Sequence, residues 1–233
     1  MQLALFDIDG TLIDSVGRCD GLFADAIADV CGVSDVRLDW SLSPDATDSG
    51  GSVAHFVHYT GRQPTPPQKR AMHHRFVADM RAADVKAPLV AGAEDVLERV
   101  AALDDWEVGL ATGNWRATAA VKFGWAGQRL PNVPMGAADD APGRVGILRS
   151  AIRKAEAVYG VDQFSRVVYF GDGLHDVRAA RAIDIAFVAV TAVRPAGPLE
   201  REGAGWLLQD FRDDGRLREA LESAPVPRRP GDR

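Results

Sequence analysis

Two short acidic segments hold the residues best suited to chemistry. Asp7-Ile8-Asp9-Gly10-Thr11 places two carboxylates one residue apart. On extended chain they point the same way, and Gly10 permits a sharp turn behind them. Gly171-Asp172-Gly173-Leu174-His175-Asp176 places two more acids four residues apart. That spacing fits one carboxylate on a hard metal ion and a second in support. Between them in the chain, Ala111-Thr112-Gly113-Asn114 offers a hydroxyl and free backbone N–H groups at an expected helix start. Such a start can hold a phosphate oxygen. Thr and Asn are also ordinary helix caps, so this segment gains weight only from its companions.

The elements that must position these residues are legible as apolar runs. Leu3–Phe6, Trp106–Ala111, Val167–Phe170, Ile185–Val190 and Trp206–Leu208 read as strands. Near-continuous apolar runs predict strands covered on both faces, as in a parallel sheet. Helix-like stretches separate most of them, giving a doubly wound, Rossmann-like α/β core. The three segments above each follow a strand, where open α/β sheets place their ligand sites. Arg144–Tyr159 repeats Ile147, Leu148, Ala151, Ile152, Ala155 and Val158 at helical spacing and stops at Gly160. Glu94–Leu103 and Trp115–Phe123 read as helices too.

The interval 15–88 contains no strand run and is too long for one crossover. Leu22, Phe23, Ala26, Ile27 and Val30 form one helical stripe, and Met72, Phe76, Val77 and Met80 another. Thr65-Pro66-Pro67-Gln68 predicts a capping box before the second. A third helix is expected through Val53, Phe56 and Val57, after Ser49-Gly50-Gly51-Ser52. The reading is an inserted helical domain at 15–88, a core of 1–14 and 89–223, and a flexible tail at 224–233.

In order along the chain, these motifs resemble the haloacid dehalogenase superfamily. The match is to its phosphatase branch with a helical cap, similar to phosphoglycolate phosphatase and β-phosphoglucomutase. Asp7-Ile8-Asp9-Gly10-Thr11, Thr112 and Gly171–Asp176 match its first, second and fourth motifs. Its third motif is a basic residue near a helix start; Arg144 takes that place by position, with Arg149 the competitor. The resemblance implies that Asp7 attacks phosphorus and forms an aspartyl-phosphate. Asp9 would protonate the leaving alcohol and then deprotonate the hydrolytic water. Mg²⁺ would lie on Asp7, Asp9 (also through its backbone carbonyl) and Asp172, with Asp176 in support. Thr112, Gly113 and Arg144 would hold the phosphoryl oxygens. Cap residues Thr47 and Asp48 would reach the substrate, although Asp45 stands where several relatives have glycine. A sugar phosphomutase would keep every motif, and a non-catalytic phosphate-binding protein is a further alternative. His55, His58, His73 and His74 read as helix-face residues.

A formal net charge of −6 argues against a nucleic-acid binder. Cys19 and Cys31 are too few for a disulfide framework or a cysteine metal site. No signal-like or membrane-spanning run is seen, so a cytoplasmic protein away from the membrane is expected. The expected partner is a small phosphorylated metabolite, bound by a monomer or homodimer.

Overall fold

The computed structural model describes residues 1–231. Its centre is a six-stranded parallel sheet in the order β3-β2-β1-β4-β5-β6. The strands are β1 (Gln2–Phe6), β2 (Trp106–Ala111), β3 (Met135–Gly136), β4 (Val167–Gly171), β5 (Ala186–Val190) and β6 (Leu207–Leu208). The five runs named above are all strands, within a residue at each end. Two-residue β3 was not legible, because Met135-Gly136 has no apolar run around it. It exists through pairing with β2, Leu110 opposite Met135.

Alternation along β1 decides the layering. Leu3 and Leu5 face one apolar cluster, Ala4 and Phe6 the other, and all four are fully buried. Helices α6 (Arg144–Tyr159), α7 (Leu174–Ala182) and α8 (Ala196–Glu202) cover the first face. Helices α4 (Val96–Ala101), α5 (Arg116–Trp125) and α9 (Asp214–Ser223) cover the second. The chain runs outward from β1 to β3, then returns to the other side of β1 at β4. The mouth between β1 and β4 is thus the point where strand order reverses, the place such sheets leave open for a ligand.

Between β1 and β2 lie α1 (Asp20–Cys31), a 3₁₀ turn at Trp40–Leu42, α2 (Asp48–Thr60) and α3 (Pro66–Ala82). Phe23, Ile27, Phe56 and Phe76 from these helices belong to the same apolar cluster as Trp115 and Leu148. At α3, Gln68 Oε1 accepts from the Thr65 N–H at 3.0 Å. Helix α2 starts earlier than the sequence suggested, because Ser49-Gly50-Gly51-Ser52 is helical. The glycines serve packing here: a Cβ on Gly51 would lie 2.9 Å from the Trp40 ring and 3.3 Å from Phe23. His55 is buried within α2; its Nδ1 donates to Gly51 O at 2.8 Å and its Nε2 accepts from the Asp39 N–H at 2.9 Å.

The segment expected to be a flexible tail is held to the core for its first residues. Ala224 is buried, Pro225 O accepts from Phe187 N at 3.1 Å, and Arg228 N donates to Gly203 O at 3.0 Å. Asp232 and Arg233 lie outside the described residues. Among the described residues no helix is long and apolar enough to cross a membrane, and both cysteines are free.

Candidate active site

Asp7 follows β1 directly. Its N–H donates to Phe170 O at 2.9 Å, so the backbone is still tied to β4. The chain then turns: Leu12 and Ile13 both donate to Ile8 O at 2.9 Å. Gly10 is required twice over in this turn. Its φ is +72°, and a Cβ would sit 2.0 Å from Asp172 Oδ2.

Asp7 is 1% exposed, and neither carboxylate oxygen accepts a hydrogen bond. Arg144 Nη1 stands 3.2 Å from Asp7 Oδ2, in ion-pair range but without hydrogen-bond geometry. Burial pushes the Asp7 carboxyl up to about 6, against the pull of Arg144 and with help from the Asp176 and Asp9 charges. Arg144 opens α6 and is itself buried. It lies 3.1 Å from Asp176 Oδ1, donates to Tyr169 Oη at 3.3 Å, and reaches Asp45 O through Nε at 3.2 Å. The competing Arg149 is exposed. Arg144, and not Arg149, lies beside Asp7.

Asp172 follows β4 and is 2% exposed. Burial pushes its carboxyl well up; Asp176 adds to this, and Arg194, with Nε at 2.7 Å, opposes it. Asp176 is fully used. Its Oδ1 accepts from Tyr169 Oη at 2.8 Å and its Oδ2 from the Gly173 N–H at 3.0 Å. His175 lies beside it, with Nε2 at 3.5 Å from Asp176 Oδ2; burial and then Arg144 keep it neutral. Donor atoms of Asp7, His175 and Asp176 fall within 4.8 Å of one another. Arg144 approaches both carboxylates of that trio, so its charge disfavours a second cation there. Asp7 and Asp172 are two buried carboxylates lining the same cleft, the type of oxygen donor a hard cation takes, each with an arginine beside it, Arg144 and Arg194.

Asp9 has a different setting. Its side chain is 26% exposed. Its Oδ2 accepts from Lys122 Nζ at 2.7 Å and Asn114 Nδ2 at 2.8 Å, and its Oδ1 accepts from the Ser15 hydroxyl. Burial pushes this carboxyl up, but Lys122, Ser15 and Asn114 together bring it below the usual range. It is therefore an ionised acceptor here, the reverse of the raised acid that a proton donor needs.

Gly113 faces the cleft, and a Cβ there would meet Ala46 O at 2.5 Å and Arg144 Nη2 at 2.8 Å. Thr112 is 1% exposed, and its hydroxyl accepts from Asn114 Nδ2 at 2.8 Å. The Thr47-Asp48 pair is built differently from the expectation. Thr47 is fully buried as the N-cap of α2: Oγ1 donates to Pro142 O at 2.7 Å and accepts from Gly50 N at 2.9 Å. That hydroxyl is fully buried and does not line the cleft. Asp48 borders the cleft but accepts from Trp115 N at 2.8 Å and Thr118 Oγ1 at 2.6 Å. Both residues fasten α2 onto the sheet domain.

These groups surround a cavity of about 560 Å³. Asp7, Asp9, Gly113 and Asp172 form its floor, while Phe23, Trp40 and Phe76 from the helical insertion form its roof. A smaller groove of about 290 Å³ beside Trp106 and Arg218 has none of these groups. Sequence reading had Asn114 only as an ordinary cap in the second segment, and missed Lys122, Ser15, Tyr169 and Arg194. Lys122 alone left a signal, as a lysine on the apolar stripe of Ala119 and Phe123. The others are ordinary residues until the fold brings them in.

The fold and floor define an α/β enzyme with buried, paired carboxylates at the mouth of a parallel sheet. The haloacid dehalogenase-like hydrolase profile matches residues 1–184, and the chain belongs to that family. No curated protein sequence matches it. Among solved structures it resembles a hydrolase from Pseudomonas syringae at 21% identity and TM-score 0.69, covering 96% of this chain and 100% of that one. It also resembles CbbY from Rhodobacter sphaeroides in complex with phosphate, at 24% identity and TM-score 0.67, covering 95% and 99%. A CbbY mutant in complex with xylulose-(1,5)bisphosphate gives 24% identity and TM-score 0.59, covering 91% and 96%.

Proposed function

We propose that this chain is a phosphatase acting on a small phosphorylated metabolite, with Asp7 as nucleophile. The observation that supports it most is Asp7 itself: a buried carboxylate with no hydrogen bond to either oxygen, beside a buried arginine. A carboxylate is left so exposed to its neighbours' fields where it must take up another group.

Asp7 would attack phosphorus as the ester bond breaks, giving an aspartyl-phosphate, while Asp9, protonated in the substrate complex, would pass its proton to the leaving oxygen to give the free alcohol. Arg144, held by Asp176 and Tyr169, would grip two equatorial oxygens in its planar fork. The Gly113 backbone would lie against a third, since a side chain there is excluded. Asp9 would take the proton of the water that cleaves the intermediate, a role its ionised state suits. To supply a proton to the leaving alcohol it would first have to acquire one. Asp7, Asp172 and the Asp9 carbonyl would hold Mg²⁺, which when bound supplies positive charge against the phosphoryl oxygens. Residues 15–88 would act as a cap, with Phe23, Trp40 and Phe76 excluding water and choosing the leaving group.

Phosphate release from a panel of small phosphate esters, with and without Mg²⁺, tests this. Metal-dependent release that disappears in Asp7→Asn is the expected result. Isomerisation of a sugar phosphate without release would instead identify a phosphomutase, and inertness toward every compound would overturn the proposal.

A further inference from the structure

Lys122 has no part in the roles above, yet its burial demands one. It is 4% exposed, on a face of α5 otherwise formed by Thr118, Ala119 and Phe123. An ammonium is taken out of water only where it is fully paired, and packing alone at this point would be met by Leu or Met. Lys122 Nζ donates to Asp9 Oδ2 at 2.7 Å and Asn114 Oδ1 at 2.6 Å. Asn114 completes a ring by donating from Nδ2 to the same Asp9 oxygen at 2.8 Å. The Asp48 carboxylate adds to this attraction without a hydrogen bond.

Asp9 has little else to hold it. Its side chain is partly exposed, and it sits in a turn rather than on a strand. Lys122 and Asn114 on one oxygen, with Ser15 on the other, fix both of its side-chain torsions. Resting on the phosphatase reading, we infer that Lys122 is a positioning residue for the reaction. Acting through Asp9, it sets the direction in which that carboxylate faces across the cleft from Asp7. Asp7 and Asp9 must address opposite sides of one phosphorus, so a turned Asp9 removes proton transfer while leaving the phosphoryl grip of Arg144 intact.

The test is a mutant cycle of Lys122→Met with Asp9→Asn, with folding checked by circular dichroism and thermal melting. Misplacing a reacting group by about 1 Å costs on the order of 100-fold. Lys122→Met is expected to lower kcat by roughly 10- to 100-fold, with KM changed less than about threefold. Lys122→Arg should recover part of the loss. In the Asp9→Asn background, Lys122→Met should cost nothing further. A folded Lys122→Met enzyme with near-normal kcat would overturn the inference, as would an equal loss in both backgrounds. Should Lys122→Met not fold, Lys122→Gln, which keeps one donor, enters the same cycle. A readout without turnover is the affinity for orthovanadate against inorganic phosphate. Lys122→Met should weaken vanadate by roughly the kcat factor and phosphate by less than about threefold. Equal weakening of both would overturn the inference even if no substrate were found. A wild-type protein that binds neither anion would overturn the phosphatase reading instead.

Discussion

Each carboxylate of this site is defined by what its oxygens lack or hold. Asp7 has no hydrogen bond, Asp9 has three donors, and Asp176 is filled by Tyr169 and Gly173. Asp9→Asn should therefore lower phosphate release by about 10²–10⁴-fold, the usual worth of a positioned proton-transfer group, and Asp7→Asn should abolish it; steady-state assays of both variants check this. Arg144→Lys keeps a charge near Asp7, Asp176 and Tyr169, all met by the single Nη1, but loses the Nε bond to Asp45 O and the planar two-pronged grip on an anion. Weaker binding of inorganic phosphate is expected, measured by calorimetry. The acids were legible in the sequence because each ends or follows a buried strand. Arg144 was legible as a basic residue at a helix start, which is where α6 begins. Thr47 misled because the hydroxyl that resembles a substrate contact is the same atom that caps α2. Nothing in the linear chain tells those uses apart.

At the scale of elements, the start of α2 fastens the helical insertion to the sheet domain by hydrogen bonds, beside the Arg144–Asp45 bond and the packing of Phe76 on Trp115. Asp48 N donates to Gly113 O at 2.7 Å, Thr47 reaches Pro142, and Ser49 Oγ donates to Ala138 O at 2.6 Å. Helix α2 can approach so closely because Gly50 carries no side chain: a Cβ there would lie 3.0 Å from Pro142 O. Gly51→Ala, pressed on the Trp40 and Phe23 rings, should destabilise the fold by about 1–3 kcal/mol in denaturant titration, the usual cost of overpacking. Strands and long helices were readable because periodicity survives in any context. The glycine-rich start of α2 was not, because glycine disfavours helix until a neighbour needs the space. Strand β3 depends wholly on its partner, so no local signal existed for it.

For the molecule as a whole, Asp7 is held at a cost in stability. The Asp7 carboxyl is raised from its ordinary 3.8 to about 6 by burial. A carboxyl raised on folding contributes stability that is full below about pH 4 and lost as pH rises through about 6, roughly 3 kcal/mol in this case. Metal-free Asp7→Asn should thus unfold at higher denaturant than wild type at pH 8, the gap narrowing to nothing near pH 3.5. Equal midpoints at pH 8 would contradict the burial argument. The strand that presents Asp7 also has a history within each molecule. β1 is made first, yet it lies mid-sheet between β2 and β4, whose pairing residues begin at Trp106 and Val167. During synthesis its edge toward β4 must wait, unpaired and apolar, until Val167–Phe170 emerges. Long-range parallel pairing of that kind is slow and open to aggregation. The floor of the cleft cannot assemble on a nascent fragment that stops short of β4, so chaperone demand and catalytic competence are set by the same strand order.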